Sequence, residues 1–353
     1  MSDLSDELRA AAEQIVDRIG VDTETPAAGW STEVWEALRE SGFTDIGVDD
    51  EEGSFTDLLT VIAAVSAAGA VTPLIEHTAL AHWLATRAGL ELSATTTVAI
   101  ADDGCVFSES GSGTTLTGTV TDVALTGAAM VLVAVPTDDE ITVGVIDPAA
   151  TGVSIQAGTD LVGAPYGDID FTDVAAQHCG RAAISVEQVR ERGALAYATA
   201  LAAAATRVRD TTVAYAGDRT QFGRPLTKFQ AIQQRLAQLA ATTALMETAA
   251  TTAARQYQTG STDADTAVIA AAKTVTSACA REVAAAGHQI HGAIGFTSEH
   301  ALGRATTSLW TWRDRYGTEQ EWARVLAGQI VDDGADVWDI IVGAEPTVRQ
   351  DSR

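Results

Sequence analysis

The sequence predicts an α+β chain in three parts. These are an N-terminal α-helical domain over residues 1–90, a small antiparallel β-barrel over 91–178, and a C-terminal four-helix bundle over 179–353. Two switches in composition carry this reading. At about residue 95 the helical spacing of apolar residues gives way to short runs rich in Thr and Val, and at about 175 it returns. The third observation is the alanine-rich run from Val186 to Asp218, long enough for a helix of about 45 Å at 1.5 Å per residue.

In the first part, Leu4, Leu8, Ile15 and Ile19 form one apolar stripe and Val34, Trp35 and Leu38 a second, each at the spacing of one helix face. Ser31, Thr32 and Glu33 supply an N-cap region for the second helix, and Gly42 a C-cap. Thr56–Ala70 is apolar nearly all round and therefore predicted to be buried. A fourth helix carries His77 and His82, which read as packing or cap residues. Between 95 and 175 the runs TTTVAIADD, TTLTGTVTDVAL, AMVLVAVPT and ITVGVIDP are separated by Gly, Asp and Pro. That is the pattern of short strands joined by turns, in a small antiparallel barrel or sandwich. After Val186–Asp218, further helices are predicted over 229–256, over 263–291 and as a last pair across 298–343.

The helical run breaks at YAGDRTQFGRPLTKFQ, Tyr215 to Gln230. Pro225 has no amide proton and restricts the residue before it, so a helix ends there. Apolar spacing resumes at once at Phe229, Ile232, Leu236 and Leu239. The corner between the two helices holds Arg219, Gln221, Phe222 and Gln230. Taken alone it reads as a polar turn with one arginine in solvent; an Arg fork flanked by amides also suits a diphosphate.

Composition excludes several classes. The net charge is −26, which repels nucleic acid and anionic membranes. No stretch of about twenty apolar residues appears, so no membrane insertion is expected. The acidic N-terminus lacks the regions of a signal peptide, which makes the cytoplasm the expected location. Cys105, Cys179 and Cys279 show no metal-ligand spacing and read as reduced thiols; no metal site is expected. Only Lys228 and Lys273 are lysines, against 20 arginines.

The corner recurs with two further segments in order, QIHGAIGFTSEH from Gln289 and Tyr316-Gly317-Thr318-Glu319-Gln320. Together they resemble the acyl-CoA dehydrogenase family, with its Arg-x-Gln-Phe-Gly-x-Pro-Leu corner, its Gln-x-x-Gly-Gly segment and its Gly-Thr. The likeness is close from Tyr215 to Thr318 and faint in the first half, where the family's middle-domain loop has no counterpart around Ala101 to Gly113. The resemblance implies an acyl-CoA dehydrogenase-like fold and FAD as cofactor, lying across a subunit interface. Arg219, Gln221, Phe222, Gln289, Gly292 and Ala293 would reach the flavin of a neighbour. Ala293 stands where the family has its second glycine. Thr318 and Gln320 match further cofactor contacts.

The implied reaction removes a proton and a hydride from an acyl-CoA thioester and needs a carboxylate base. Counting from Glu299, Tyr316 occupies the family's usual base position. The alternative position, on the first long helix of the C-terminal part, falls at Gly193, Ala194, Leu195, Ala196 and Ala200. Glu191 is the nearest carboxylate, and its plain reading is a solvated Glu beside Arg190 and Arg192. The chain therefore resembles the shorter, base-lacking subunit of bacterial heterotetrameric (α2β2) acyl-CoA dehydrogenases of the steroid side-chain type. A self-sufficient homotetramer with a displaced base and a flavin-free structural subunit are the other readings.

Overall fold

A computed structural model of the chain describes residues 3–21, 29–49, 53–101, 104–110, 113–137, 140–257, 263–297 and 301–331. Glu299, the middle of the Asp49–Gly53 turn and the last predicted helix beyond 331 lie outside the described residues. The chain divides into two compact units. One comprises Met1–Val61 with Ala70–Gly193, the other Ile62–Gly69 with Ala194–Arg353.

The first unit begins with α1 (Asp3–Ile19) and α2 (Thr32–Glu40). On α1 the buried face runs through Ser5, Ala12, Ile15 and Val16, while Leu4 is exposed. On α2, Val34, Trp35 and Leu38 are buried as their spacing predicts. This helix ends in a glycine stop. Gly42 adopts φ +78°, and the Phe43 amide donates back to the Leu38 carbonyl at 3.0 Å. That is a left-handed closure suited to glycine. Helix α3 (Phe55–Ala67) is followed by a π-helical stretch, Leu74–His82, which continues as α4 (Trp83–Arg87). His77 is buried there: its ring meets Trp35 edge-on, and the Thr96 amide donates to its Nδ1 at 3.1 Å.

The strands that follow are β1 (Thr96–Ile100), β2 (Val106–Ser110), β3 (Gly113–Ala124), β4 (Met130–Thr137), β5 (Glu140–Ile146), β6 (Val153–Thr159), β7 (Pro165–Ala175) and β8 (His178–Ala182). They form two four-stranded sheets, β1-β4-β5-β8 and β2-β3-β7-β6. This corrects the expected antiparallel barrel in two respects. Strands β1 and β4 pair in parallel, with Thr96 opposite Met130. The sheets also do not close into a barrel; they face each other. Val131, Val133, Val135 and Ile146 of the first meet Leu116, Val120, Ile169, Phe171 and Val174 of the second in one apolar core. Alternation of apolar and polar residues is the same in a sandwich and a small barrel, so the pattern alone does not separate them.

The second unit contains most of α5 (Val186–Asp218), then α6 (Gln230–Gln256), α7 (Asp263–His291), α8 (Ala301–Trp312) and α9 (Glu319–Val331). Helix α7 packs against α6, α8 and α9. Its Gly287 approaches Val208 and Thr212 of α5 so closely that an added Cβ would lie 2.9 Å from the Val208 side chain. Ala194, Ala196, Ala198, Ala200, Ala204 and Ala205 of α5 are fully buried or nearly so.

Candidate functional site

The break after α5 is a miniature hairpin. The Arg219 amide makes the last helical bond, to the Tyr215 carbonyl at 2.9 Å. Two-residue strands β9 (Thr220–Gln221) and β10 (Arg224–Pro225) then pair antiparallel, Gln221 opposite Arg224. Phe222 and Gly223 form the turn, both with positive φ (51° and 79°). This is the twist that two-residue hairpins require, and a bulky aromatic adopts it only at a cost. Phe222 is also 92% exposed. The corner is stiffened from below: the Arg224 guanidinium lies 4.2 Å from the Phe229 ring centroid, and the Phe222 and Phe229 rings meet edge-on at 6.2 Å. Arg219 and Gln221 are exposed beside it.

The glycine segment stands at the same end. His291, at the close of α7, is buried and stacks on Tyr215 with ring centroids 4.3 Å apart, and the Tyr215 hydroxyl donates to the His291 carbonyl. Gln289, Gly292 and Ala293 are exposed around this contact, and Gly292 adopts φ +64°. The chain continues as a single 3-10 turn, Gly292–Phe296, in which Phe296 stacks on His288 at 4.4 Å. One end of the bundle thus presents a guanidinium, two amides, a displayed aromatic and backbone opened by glycine. Such a donor set could hold a diphosphate.

The third segment lies elsewhere. Tyr316 stacks on Tyr197 of α5 with centroids 5.8 Å apart. Tyr197 precedes Tyr215 by eighteen residues on one helix, about 27 Å along its axis. The predicted cofactor residues therefore fall into two clusters: Arg219, Gln221, Phe222, Gln289, Gly292 and Ala293 together, and Thr318 and Gln320 apart from them. Thr318 is the N-cap of α9. Its amide and hydroxyl both donate to Glu321, at 2.7 and 2.9 Å, and the Glu321 amide donates back to its Oγ1. This is a reciprocal capping box. Gln320, the second residue of α9, is exposed.

Tyr316 has φ +54°, and its carbonyl accepts from the Trp322 indole at 2.9 Å. Gly317 sits flush on that indole; a Cβ there would lie 2.5 Å from Trp322 Nε1. At the alternative base position Ala194, Leu195, Ala196 and Ala200 are buried without a carboxylate. Glu191 is corrected: it is 4% exposed, not solvated. The same burial takes in Arg192, whose guanidinium donates to the carbonyls of Ala79 and Gly47 and lies against the rings of Phe55 and Trp83. A run of Arg, Glu and Arg carries no sign that two of its three members are inside. Lys273 was also missed. It is fully buried in α7, and burial pulls its ammonium down to about 7. Its signal was available, since it is one of two lysines left in a chain that otherwise uses arginine.

Residues 180–324 match the family described as the acyl-CoA dehydrogenase C-terminal domain. Acyl-CoA dehydrogenase IpdE2 of Mycobacterium tuberculosis is 37% identical over 114 residues, 32% of this chain and 34% of that protein. The match thus spans about a third of the relative's length. Among solved structures, the ChsE4-ChsE5 complex from Mycobacterium tuberculosis matches with a TM-score of 0.80 at 20% identity, over 94% of this chain and 98% of the other. A variant of the Tcur3481-Tcur3483 steroid ACAD matches with a TM-score of 0.82 at 22% identity, over 94% and 98%. At these identities the likeness is one of fold, and it extends through the half in which the motifs are faint.

Proposed function

We propose that this chain is a subunit of an FAD-dependent acyl-CoA dehydrogenase. It completes a flavin site together with a second, acyl-CoA dehydrogenase-like subunit and leaves α-proton abstraction to that partner. The observation that carries the reading is the base position. A tyrosine stands there, held in a left-handed conformation and stacked on Tyr197, and an ordinary phenol keeps its proton up to about pH 10.

The residues present fit the cofactor. Arg219 would pair with the diphosphate, Gln221 and Gln289 would donate from their amides, Gly292 and Ala293 would offer backbone N–H groups, and Phe222 would cover an apolar surface. When bound, FAD supplies the acceptor for the hydride leaving the β-carbon of the acyl thioester. Thr318 and Gln320, some 27 Å along the bundle by the rise of α5, would face a different flavin from the one reached by Arg219. Two half-sites about 27 Å apart along α5 favour an oligomer in which each flavin lies between subunits. The solved relatives that are a two-protein complex and a steroid ACAD favour a heteromeric assembly and a wide, steroid-like acyl-CoA. The same reading takes 1–90, 91–178 and 179–353 as its three domains and the cytoplasm as its setting.

The test expresses the chain alone and together with any acyl-CoA dehydrogenase-like protein that a neighbouring gene encodes, then measures bound flavin and dye reduction with several acyl-CoAs. The pair is expected to turn over at least about 10²-fold faster than the chain alone, the scale of a missing general base. Equal turnover by the chain alone would defeat the proposal and favour the self-sufficient homotetramer. An active pair that keeps full flavin and turnover after Arg219→Ala would favour the structural-subunit reading.

A further inference from the structure

The turn that carries Tyr316, Gly317 and Thr318 is tied down from inside the bundle. Helix α8 ends at Trp312, and the last carbonyls of a helix have no partner within it. Lys273 reaches them from α7. Its Nζ lies 2.7 Å from the Arg313 carbonyl, 3.3 Å from the Trp312 carbonyl and 3.2 Å from Ser277 Oγ, and the Ser277 hydroxyl itself donates to the Arg313 carbonyl at 2.7 Å. Lys273 and Ser277 are both fully buried. They stand one helical turn apart on α7 and together close the end of a different helix. Three residues beyond Arg313 comes Tyr316. Arginine could not replace this group at equal volume, because its planar fork is larger than an ammonium on a single stem. That accounts for a lysine here in a chain that otherwise avoids lysine.

We propose that Lys273 is a positioning residue: from α7 it holds the carbonyl end of α8 and so sets where Tyr316, Gly317 and Thr318 stand against the flavin. The inference rests on the functional reading above for the flavin and on the hydrogen bonds alone for the clamp.

The clamp has a pH signature. The charges that act on the ammonium are Asp314 and Arg313 on the turn and Glu321 on α9, and Arg313 is itself paired with Glu319 at 3.1 Å. Desolvation outweighs the two carboxylates, so the proton leaves at about 7 instead of 10.5. A neutral amine still has two N–H groups for the two carbonyls. Opening the turn would hydrate Lys273 and return it to its ordinary affinity for protons. Opening therefore becomes progressively harder as pH rises from about 7 toward 10.5, and is easiest below 7, where the amine is charged in both states.

Hydrogen exchange in the intact assembly tests this, with rates for residues 313–318 corrected for intrinsic pH dependence. At pH 8.5 the native protein should protect these amides about tenfold or more better than Lys273→Met, in which buried carbonyls lose their donors. The gap should narrow as pH falls to 6, while α6 exchanges alike in both. Flavin affinity at pH 8.5 should fall with the same substitution. No gap at pH 8.5, a gap that widens toward pH 6, or a loosened turn with unchanged flavin affinity would each overturn the proposal. Should Lys273→Met fail to fold, Ser277→Ala removes one partner and gives the same comparison at smaller amplitude. If the native assembly holds no flavin, the functional reading fails, and the exchange gap alone then decides the clamp.

Discussion

The two clusters of predicted cofactor residues are built in opposite ways. The Arg219 corner is open: Arg219, Gln221, Gln289, Gly292 and Ala293 are all exposed, and Phe222 is displayed, 92% exposed, in a conformation that costs energy. The Tyr316 turn is closed. Its tyrosine stacks on Tyr197, its glycine lies flush against Trp322, its threonine caps α9, and the helix before it is pinned by Lys273. Strain that is displayed to solvent is kept for a contact made elsewhere. Strain that is packed against the chain's own side chains is retained for shape. The difference is that the corner's side chains are displayed outward, as the proposed flavin contact requires, whereas those of the turn at the base position are engaged with this chain's own framework.

Changing the solvent acts on the closed turn first. Because folded Lys273 loses its proton at about 7 and an unfolded lysine at 10.5, the unfolded chain binds more protons between those values. Stability should therefore rise as pH increases from about 7 toward 10.5, by up to about 5 kcal/mol from this group. Chemical denaturation of the native protein beside Lys273→Met across that range isolates the effect; equal slopes would show that the ammonium is not buried in solution. Gly317→Ala should come next. It adds a Cβ against Trp322 at φ +108°, and left-handed backbone with overpacking costs about 2–4 kcal/mol. A thermal midpoint unchanged by this substitution would mean that the turn is not closed as described. Arg219→Ala should leave the midpoint of the isolated chain where it is and weaken flavin binding in the assembly. The loss of a charge-assisted hydrogen bond amounts to about 1.5–3 kcal/mol. Flavin absorbance after gel filtration reads it, and full retention would remove Arg219 from the site.

The legible parts of this molecule are local. The helical stripe at Val34, Trp35 and Leu38, the glycine stop at Gly42 and the break at Pro225 each depend on a few neighbouring residues. The corner and glycine segments were found by residue type and spacing. The illegible parts depend on distant residues. The parallel pairing of β1 with β4 joins segments some thirty residues apart, and nothing within either strand specifies it. Glu191 reads as solvated because charge is ordinarily outside, and nothing in the sequence marks its neighbour Arg192 as held by the rings of Phe55 and Trp83 and the carbonyls of Gly47 and Ala79. Thr318 carried two signals at once. Its family position points to a cofactor, and its spacing to Glu321 points to a capping box, which is the interaction present.

The most direct test of the central claim sets Tyr316→Phe beside Arg219→Ala in the same active pair, with turnover and bound flavin measured together. The account predicts that Tyr316→Phe keeps both within about twofold, since the ring and not the hydroxyl fills the place of a base, whereas Arg219→Ala sheds flavin and loses turnover in proportion. A fall of about 10²-fold or more in turnover for Tyr316→Phe at full flavin, the scale of a lost acid–base group, would contradict it.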